Sequence, residues 1–181
     1  MQAEFIPQKI KDVILIKPKI FNDERGYFSE TFNLLEFKQN SINVNFVQDN
    51  YSKSCAKVLR GLHYQKAPYA QAKLIKCIKG KICDIAVDIR PKSPTFKQYI
   101  KIELSSENNY QLFIPEGFAH GFVVKSLEAE VLYKVSNYYN PESECGIFWA
   151  DKTLNIDWGI DFEPILSEKD KNLPAFEEAS L

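Results

Sequence analysis

Short segments in which apolar and polar side chains alternate run through most of this chain. The clearest lie at residues 82–89, 99–104 and 130–135. A period of two places successive side chains on opposite faces of an extended strand. Lys79-Gly80-Lys81 predicts a tight reversal between two of these strands, and clusters of turn-forming residues break the pattern elsewhere. Strand after strand joined by short turns predicts an antiparallel sandwich or barrel.

Helical signals are few and short. Asn33 is placed to cap a turn through residues 34–37, and Ser167 begins a capping box for a short helix near the C-terminus. No internal repeat, linker or low-complexity segment interrupts the sequence. We therefore expect a single domain over residues 1–181, with a short N-terminal arm and a helical C-terminal tail. The last residues, 177–181, are expected to be frayed.

The charge of the chain is nearly balanced, with 23 Lys and Arg against 24 Asp and Glu. No overall field therefore favours binding to nucleic acid or to an anionic membrane, and an anionic small ligand would need a local cluster of Lys and Arg. No apolar run approaches the roughly 20 residues of a membrane span. The four cysteines are scattered without a C-x-x-C pair, which favours reduced thiols and a cytoplasmic location over a disulfide framework or a zinc site.

The segment Val58–Gln65 carries one of only two histidines in the chain, close to an arginine and a glycine. Histidine is the side chain whose unperturbed pKa lies nearest neutrality, so it can take up and release protons at working pH. Polar side chains that a plain β domain does not need also gather at residues 21–30, 47–52 and 114–122, and at a group of tyrosines that begins with Tyr133. We expect the chemistry at these clusters.

At these clusters the chain resembles the dTDP-4-dehydrorhamnose 3,5-epimerase family, cupin-like enzymes of nucleotide-sugar metabolism. The matching pieces, in family order, are FNDERGYFSE, FVQDNYSKS, VLRGLHYQ, QAKLIKCIKGKICDIAVDIR, SPTF, IPEGFAHGF and LYKVSNYYNPESE. They extend from about Phe21 to Glu144, with a weaker match to Asp170. The resemblance implies an all-β fold, an antiparallel jelly-roll barrel of the cupin-like type with a few short helices. It also implies a homodimer with residues exchanged between sites, and catalysis without a metal or other cofactor.

The reaction that the resemblance implies inverts centres beside the ketone of an NDP-4-keto-6-deoxy sugar. The carbonyl at C4 acidifies the C–H bonds at C3 and C5, because the carbanion becomes an enolate. Inversion then requires a base on one face, an acid on the other and a cation near the enolate oxygen. The resemblance assigns these roles to His63, Tyr133 and Lys73, and it places Asp170 beside the imidazole, where a carboxylate fixes the tautomer.

The residue pattern alone is less specific about these side chains. A buried core histidine and a catalytic base fit His63 equally well. Tyr133 alternates with Val131 and Val135, a pattern typical of a core tyrosine with a hydrogen-bonded hydroxyl. Lys73 shares a strand face with apolar residues that follow it, so its side chain is expected to point inward.

The resemblance further implies a set of residues that hold the nucleotide and the sugar. They are Arg25, Glu30, Gln48, Asn50, Arg60, His120, Tyr139, Glu144 and Lys169. The guanidinium of Arg60 suits a diphosphate, because it donates two aligned hydrogen bonds. Tyr139 is a candidate for stacking on the base, in competition with Tyr138. The segment with Arg25 and Glu30 is expected to reach the site of the neighbouring subunit.

One feature conflicts with a regular strand at Val58–Gln65. Arg60 and His63 differ by an odd number of positions, so strict alternation would point them to opposite faces. Gly61 permits a bulge or a close backbone approach, which would bring both side chains toward one ligand. We therefore expect an irregular strand at Gly61.

Two other classes of protein compete with this interpretation. A metal-dependent cupin oxygenase or isomerase needs about three histidines and a carboxylate, and this chain has two histidines without a His-x-His motif. A non-enzymatic sugar-nucleotide-binding cupin would not need His63 or Tyr133. Within the enzymes, a 3,4-ketoisomerase is disfavoured by the LRGLHYQ and IPEGFAHGF pieces. The sequence leaves open a dTDP or GDP nucleotide, a hexose or heptose, and inversion at C3, C5 or both.

Overall fold

The computed structural model describes residues 3–181, which are folded mainly into β-strands. The strands β1 to β13 are Glu4–Pro7, Ile14–Lys17, Phe21–Asp23, Gly26–Phe28, Gln48–Cys55, Leu59–Gln65, Lys73–Lys79, Lys81–Asp88, Tyr99–Ser105, Gln111–Ile114, Phe118–Val124, Glu128–Val135 and Glu144–Gly146. The helices are α1, Leu34–Gln39, and α2, Glu168–Lys171, followed by a 3-10 turn at Phe176–Glu178. The predicted all-β character with a few short helices is confirmed.

The strands form two large sheets and one small hairpin. The first sheet has the order β1-β2-β10-β7-β12-β5, and the second has the order β13-β6-β11-β8-β9. β3 and β4 form a separate two-stranded sheet. Every strand pair is antiparallel. From β5 to β13 the chain passes from one sheet to the other at every step except that from β8 to β9, and two antiparallel sheets connected in this way form a jelly-roll barrel. The predicted antiparallel barrel is therefore confirmed.

The turn at Lys79-Gly80-Lys81 joins two strands that do not pair with each other. β7 lies between β10 and β12 in the first sheet, whereas β8 lies between β11 and β9 in the second. Gly80 has a φ of +74°, and a Cβ placed there would lie 2.0 Å from the carbonyl oxygen of Glu128. The predicted reversal is present, but it carries the chain from one sheet to the other instead of closing a hairpin.

Apolar side chains pack on both faces of the second sheet. The barrel interior contains Ile75, Cys77, Ile82, Ala86, Ile100, Leu104, Leu112, Ile114, Phe118, Phe122, Val124, Ala129 and Val131. On the outer face, Ile85 and Val87 of β8 pack with Trp158 and Phe176 from the C-terminal segment. The alternation at residues 82–89 therefore separates two cores, and not a core from solvent.

Both predicted helix caps are present. The side chain of Asn33 accepts hydrogen bonds from the backbone N–H groups of Leu35 and Glu36, and Ser167 accepts one from Asp170. No helix within residues 3–181 combines the length and the apolar character that crossing a membrane requires.

The expectation that residues 177–181 form a frayed tail was wrong. Phe176 is buried, and it is the first residue of the 3-10 turn. The hydroxyl of Tyr64 donates to the carbonyl oxygen of Ser180 over 2.9 Å, and the Lys66 amine donates to the Ser180 hydroxyl over 3.1 Å. The aromatic anchor at Phe176 and these two hydrogen bonds dock the end of the chain against β6.

β6 is irregular at Gly61, as expected. His63 pairs with His120 and Arg60 pairs with Phe122, so β6 has two residues between these pairs where β11 has one. This extra residue is a β-bulge, and it reverses the alternation of the strand between Arg60 and His63. Both side chains consequently line the same cavity.

We predict that Gly61→Ala lowers the free energy of unfolding by about 3 kcal/mol or more. Gly61 has a φ of +116°, and an added Cβ would lie 2.6 Å from the Gly121 Cα and 2.7 Å from the His120 carbonyl oxygen. The control is Gly26→Ala, because Gly26 has a φ of +127° but nothing within 4 Å of the added Cβ. Urea denaturation of both variants measures the difference. Equal losses would show that the close approach at Gly61 contributes nothing beyond backbone strain.

Candidate active site

Two neighbouring cavities open inside the barrel and meet at three side chains. The first is lined by Gln48, Asn50, His63, Tyr64, Gln65, Gln71, Lys73, Tyr133, Tyr139 and Glu144. The second is lined by Ser52, Arg60, His63, Lys73, His120, Phe122 and Tyr133. The residues common to both are His63, Lys73 and Tyr133, which the sequence analysis singled out as base, cation and acid.

His63 stands on β6 and contacts a carboxylate from the C-terminal helix. Its Nε2 lies 2.5 Å from Oδ1 of Asp170, and the Ser167 cap holds the first turn of α2 in place over 3.0 Å. Burial alone would raise the pKa of Asp170, but the hydrogen bond and charge of His63 outweigh burial and the pKa lies below its usual value. The ionised carboxylate holds the imidazole in one orientation.

Lys73 begins β7 and points inward, as its alternation predicts. Its side chain is buried, and its amine donates a hydrogen bond to the carbonyl oxygen of His63 over 3.3 Å. No ion pair to Lys73 is formed by any residue of the described chain, 3–181. Burial lowers the pKa of this amine to about 8, although Asp84 and Glu144 oppose the shift. The cavity thus contains an amine that titrates close to working pH.

Tyr133 lies on β12, on the wall of the barrel opposite His63. β12 belongs to the first sheet and β6 to the second, so the phenol and the imidazole reach the cavities from different sheets. Burial raises the pKa of Tyr133 above its usual value, which keeps the hydroxyl protonated. A protonated phenol facing an imidazole is an arrangement suited to proton removal on one side and proton return on the other.

Arg60 and His120 bring basic groups to the second cavity. Arg60 Nε donates to the Ser54 hydroxyl over 3.0 Å, and His120 Nε2 lies 2.9 Å from Oδ2 of Asp84. Each of the two histidines of the chain thus contacts one aspartate. Residues 3–181 contain no group of three or more His, Cys, Asp and Glu side chains arranged to hold a metal ion.

A chain of polar contacts surrounds the first cavity. Gln48 donates to Asn50 over 2.9 Å, and Glu144 accepts hydrogen bonds from the Tyr139 hydroxyl over 2.7 Å and from the Lys169 amine over 2.5 Å. Burial alone would raise the pKa of Glu144, but these two donors lower it below the usual value. Of the two candidate stacking residues, Tyr139 lines the cavity and Tyr138 does not.

Two predicted binding residues lie away from the cavities of their own chain. Arg25 sits in the exposed β3–β4 hairpin, where it forms an ion pair with Asp23 over 2.5 Å. Glu30 accepts a hydrogen bond from Asn33 beside α1. Neither lines either cavity. The other predicted residues are brought together around the two cavities.

The structure adds polar residues that the sequence analysis did not assign to the site. Gln65, Gln71 and Ser52 line the cavities, and Asp84 lies behind His120. Asp84 is fully buried in a strand covered on both faces. A carboxylate within residues 82–87, which are otherwise apolar, is the signal that could have identified it.

A two-sheet antiparallel barrel with a polar cavity inside is the architecture of the cupin-like jelly-roll proteins. The family model for dTDP-4-dehydrorhamnose 3,5-epimerase matches residues 7–178. A relative from Shigella flexneri with the same name is 53% identical over 175 residues, which cover 96% of each chain.

Solved structures give the same result. The dTDP-4-dehydrorhamnose 3,5-epimerase of Elizabethkingia anophelis has a TM-score of 0.93 at 49% identity and covers 97% of both chains. The dTDP-6-deoxy-D-glucose-3,5-epimerase of Legionella pneumophila, solved in complex with dTDP-4-keto-L-rhamnose, has a TM-score of 0.95 at 44% identity and covers 98% of this chain and 94% of its own. The chain therefore belongs to the dTDP-4-dehydrorhamnose 3,5-epimerase family.

We predict that Lys73→Met stabilises the free protein at pH 7 by about 3 kcal/mol. The folded-state pKa of Lys73 is about 8 and the unfolded value is 10.5, so the unfolded chain binds more protons between these values. Wild-type stability therefore rises with pH across this window, and the advantage of the variant disappears toward its upper end. Urea denaturation at several pH values measures the difference. Lys92→Met, at an exposed position, controls for the loss of one positive charge, and a pH-independent difference for Lys73→Met would contradict the prediction.

Proposed function

We propose that this protein is a cofactor-independent epimerase that inverts C3 and C5 of a dTDP-linked 4-keto-6-deoxy sugar, in the biosynthesis of sugars for cell-surface polysaccharides. The observation that carries the proposal is the meeting of His63, Lys73 and Tyr133 at the junction of the two cavities. An imidazole, a buried amine and a phenol on opposing walls are the three groups that inversion beside a ketone requires.

In the proposed first step, His63 removes the proton from a carbon next to the ketone. The C–H electron pair forms the enolate double bond, and the C4 oxygen takes the negative charge. The ammonium of the buried Lys73 side chain stabilises this oxygen. Asp170 stabilises the imidazolium that results, through its 2.5 Å contact with Nε2.

In the proposed second step, Tyr133 returns a proton to the same carbon from the opposite face. The enolate electron pair forms the new C–H bond, and the phenolate recovers a proton from solvent while His63 releases its own. The location of these residues on different sheets supports delivery from the opposite side. Repetition at the second carbon completes a double inversion.

The second cavity and the cavity rim supply groups for the nucleotide. Arg60 and His120 of the second cavity, and Lys169 through its contact with Glu144, supply cations or donors suited to a diphosphate. Tyr139 of the first cavity offers a ring on which a base can stack. The Legionella pneumophila relative was solved with a dTDP-linked keto sugar, which favours thymidine over guanosine for this chain.

We further propose that the active form is a homodimer in which the β3–β4 hairpin completes the site of the neighbouring subunit. The hairpin exposes 57% of Tyr27 and 62% of Phe28, although large aromatic side chains are usually buried when they have a partner. Arg25 lies at the tip of the same hairpin. A second copy of the chain would cover the aromatic rings and receive the guanidinium.

We also propose a cytoplasmic location. All four cysteines lie in the described part of the chain and carry free thiols. Burial raises the pKa of Cys77 and of Cys83 to about 11, which keeps these thiols protonated and unreactive. Free thiols of this kind suit a reducing compartment.

We predict that the protein exchanges carbon-bound hydrogens of the sugar with solvent. In heavy water, dTDP-4-keto-6-deoxyglucose should gain deuterium at both C3 and C5, as read by NMR or mass spectrometry. Deuterium at one carbon would limit the proposal to a single inversion. A parallel incubation with a GDP-linked keto sugar tests the nucleotide, and loss of activity on chelation that added metal restores would favour the metal-dependent alternative. Binding without exchange of any 4-keto substrate would favour a non-enzymatic binding protein.

We predict different defects for the proposed base and acid. His63→Asn should abolish deuterium exchange, because the variant lacks the imidazole that Asp170 orients. Tyr133→Phe should reduce inversion by about 100-fold or more but reduce exchange less, because removal proceeds while return from the other face fails. Retained exchange in the first variant, or full product formation in the second, would contradict the assignment.

We predict that two inactive variants restore activity when they are mixed. Arg25→Ala removes the hairpin contribution and His63→Asn removes the base, so a mixed dimer contains one site with both groups intact. Random reassortment after partial unfolding should give about 25% of wild-type activity, because half the dimers are mixed and each has one complete site. Each variant refolded alone is the control. Absence of recovery, with mixed dimers demonstrated by mass spectrometry, would contradict the exchange of residues between subunits.

A further inference from the structure

Asp84 is a buried carboxylate that does not line either cavity. It lies on β8, its side chain is fully buried, and Oδ2 contacts Nε2 of His120 over 2.9 Å. When the Nε2 hydrogen is directed at this carboxylate, Nδ1 becomes the ring nitrogen available to a ligand. Asp84 can therefore act on a bound molecule only through the residues that it contacts.

The second oxygen of Asp84 has no hydrogen-bond partner among residues 3–181. A buried carboxylate is costly unless its charge is compensated, so an unpartnered oxygen needs an explanation. Lys73 lacks a partner of opposite charge. Its buried amine donates a hydrogen bond to a carbonyl oxygen but forms no ion pair within the described chain. Asp84 is the charged group that most strongly favours the protonated form of Lys73.

Several other titratable groups face Lys73 from the surrounding strands. They are Arg60 and His63 of β6, His120 of β11, Tyr133 of β12 and Glu144 of β13. Arg60 and a protonated histidine disfavour a second positive charge, and Tyr133 is neutral while protonated. Glu144 is negative, but Lys169 already compensates it over 2.5 Å. Of the two carboxylates that favour the protonated form of Lys73, Asp84 is thus the one whose charge is not already matched by a lysine or arginine.

We propose that Asp84 is a positioning residue that orients His120 through Oδ2 and supplies the buried counter-charge that keeps the Lys73 amine protonated. The proposal rests on the function given above, in which the ammonium of Lys73 stabilises the enolate oxygen. It adds a residue that never touches substrate and that links the binding histidine to the enolate-stabilising lysine. Loss of the Asp84 charge is expected to lower the fraction of Lys73 that is protonated at working pH.

The test is Asp84→Asn, which removes the charge and keeps an oxygen that can accept from His120. Lysine labelled with carbon-13 at Cε reports the titration of Lys73 by NMR in the substrate-free protein, and Lys73→Met assigns the signal. The midpoint is expected near pH 8 in the wild type and about one pH unit lower in the variant. An unchanged midpoint would overturn the proposal.

Glu103→Gln is the matched control. Glu103 pairs in register with Cys83, the residue before Asp84, but its side chain is exposed on the surface. This variant changes the net charge by the same amount, so its Lys73 midpoint should remain at the wild-type value. A downward shift equal to that of Asp84→Asn would overturn the proposal, because it would show a general charge effect.

Folding provides a second measurement. If Asp84→Asn is unstable at pH 7, Lys73→Met should restore more stability to it than the same substitution adds to the wild type, because the buried cation costs more once its counter-charge is gone. Equal gains in the two backgrounds would overturn the link between Asp84 and Lys73.

Activity provides a separate arm of the test. The alkaline limb of the kcat profile should move to lower pH in Asp84→Asn by the same amount as the Lys73 midpoint. A shifted midpoint in a protein that never exchanges substrate hydrogens would support the link between Asp84 and Lys73 while refuting the epimerase proposal. An alkaline limb that does not follow the midpoint would overturn the catalytic part of the inference.

Discussion

The burial of both faces of the second sheet is the constraint on which the rest of the molecule depends. β8 places Ile82 and Ala86 in the barrel interior and Ile85 and Val87 on the outer face, so each face requires a cover. The first sheet covers one face and the C-terminal segment covers the other. The same segment brings α2 to the edge of the barrel and Asp170 to His63. The contact that orients the imidazole is therefore a consequence of how the outer core is closed.

The barrel interior combines apolar packing with charges that are only partly compensated. The charge of Asp88 is fully compensated, because Arg90, Ser93 and Thr95 all donate to its carboxylate. Burial alone would raise the pKa of Asp88, but these hydrogen bonds lower it to about 2. Lys73 shows the reverse, because burial lowers its pKa and no ion pair forms among residues 3–181. Groups of the second kind reduce stability and are retained where charge must be available to a ligand. The contrast separates a carboxylate that holds a loop from an amine that faces a cavity.

The alternation of apolar and polar side chains identified the strands, because a period of two shows which face of a strand is buried. This signal does not depend on which other strand it pairs with. It could not identify partners: β7 and β8 are joined by one residue, yet they lie in different sheets. The alternation also indicated that Lys73 points inward. The bulge at Gly61 was predicted from a different observation, because a regular strand would point Arg60 and His63 to opposite faces. Asp84 was missed because its importance comes from residues on other strands: His120 on β11, which is distant in sequence, and Lys73 on β7, which belongs to the other sheet. The C-terminal tail was mispredicted because local composition does not report docking.

The exchange of strands between the two sheets also affects how the chain acquires activity. The site takes side chains from β5, β6, β7, β11 and β12, and β6 and β7 pair with strands that lie well beyond their immediate neighbours in sequence. Such topologies form slowly, because the entropy of closing long loops is lost before the contacts form. A partly folded chain in which only hairpins between consecutive strands have formed has neither the cavity nor the sheet that faces it. Activity should therefore return in one late step, which makes turnover a sensitive reporter of barrel closure.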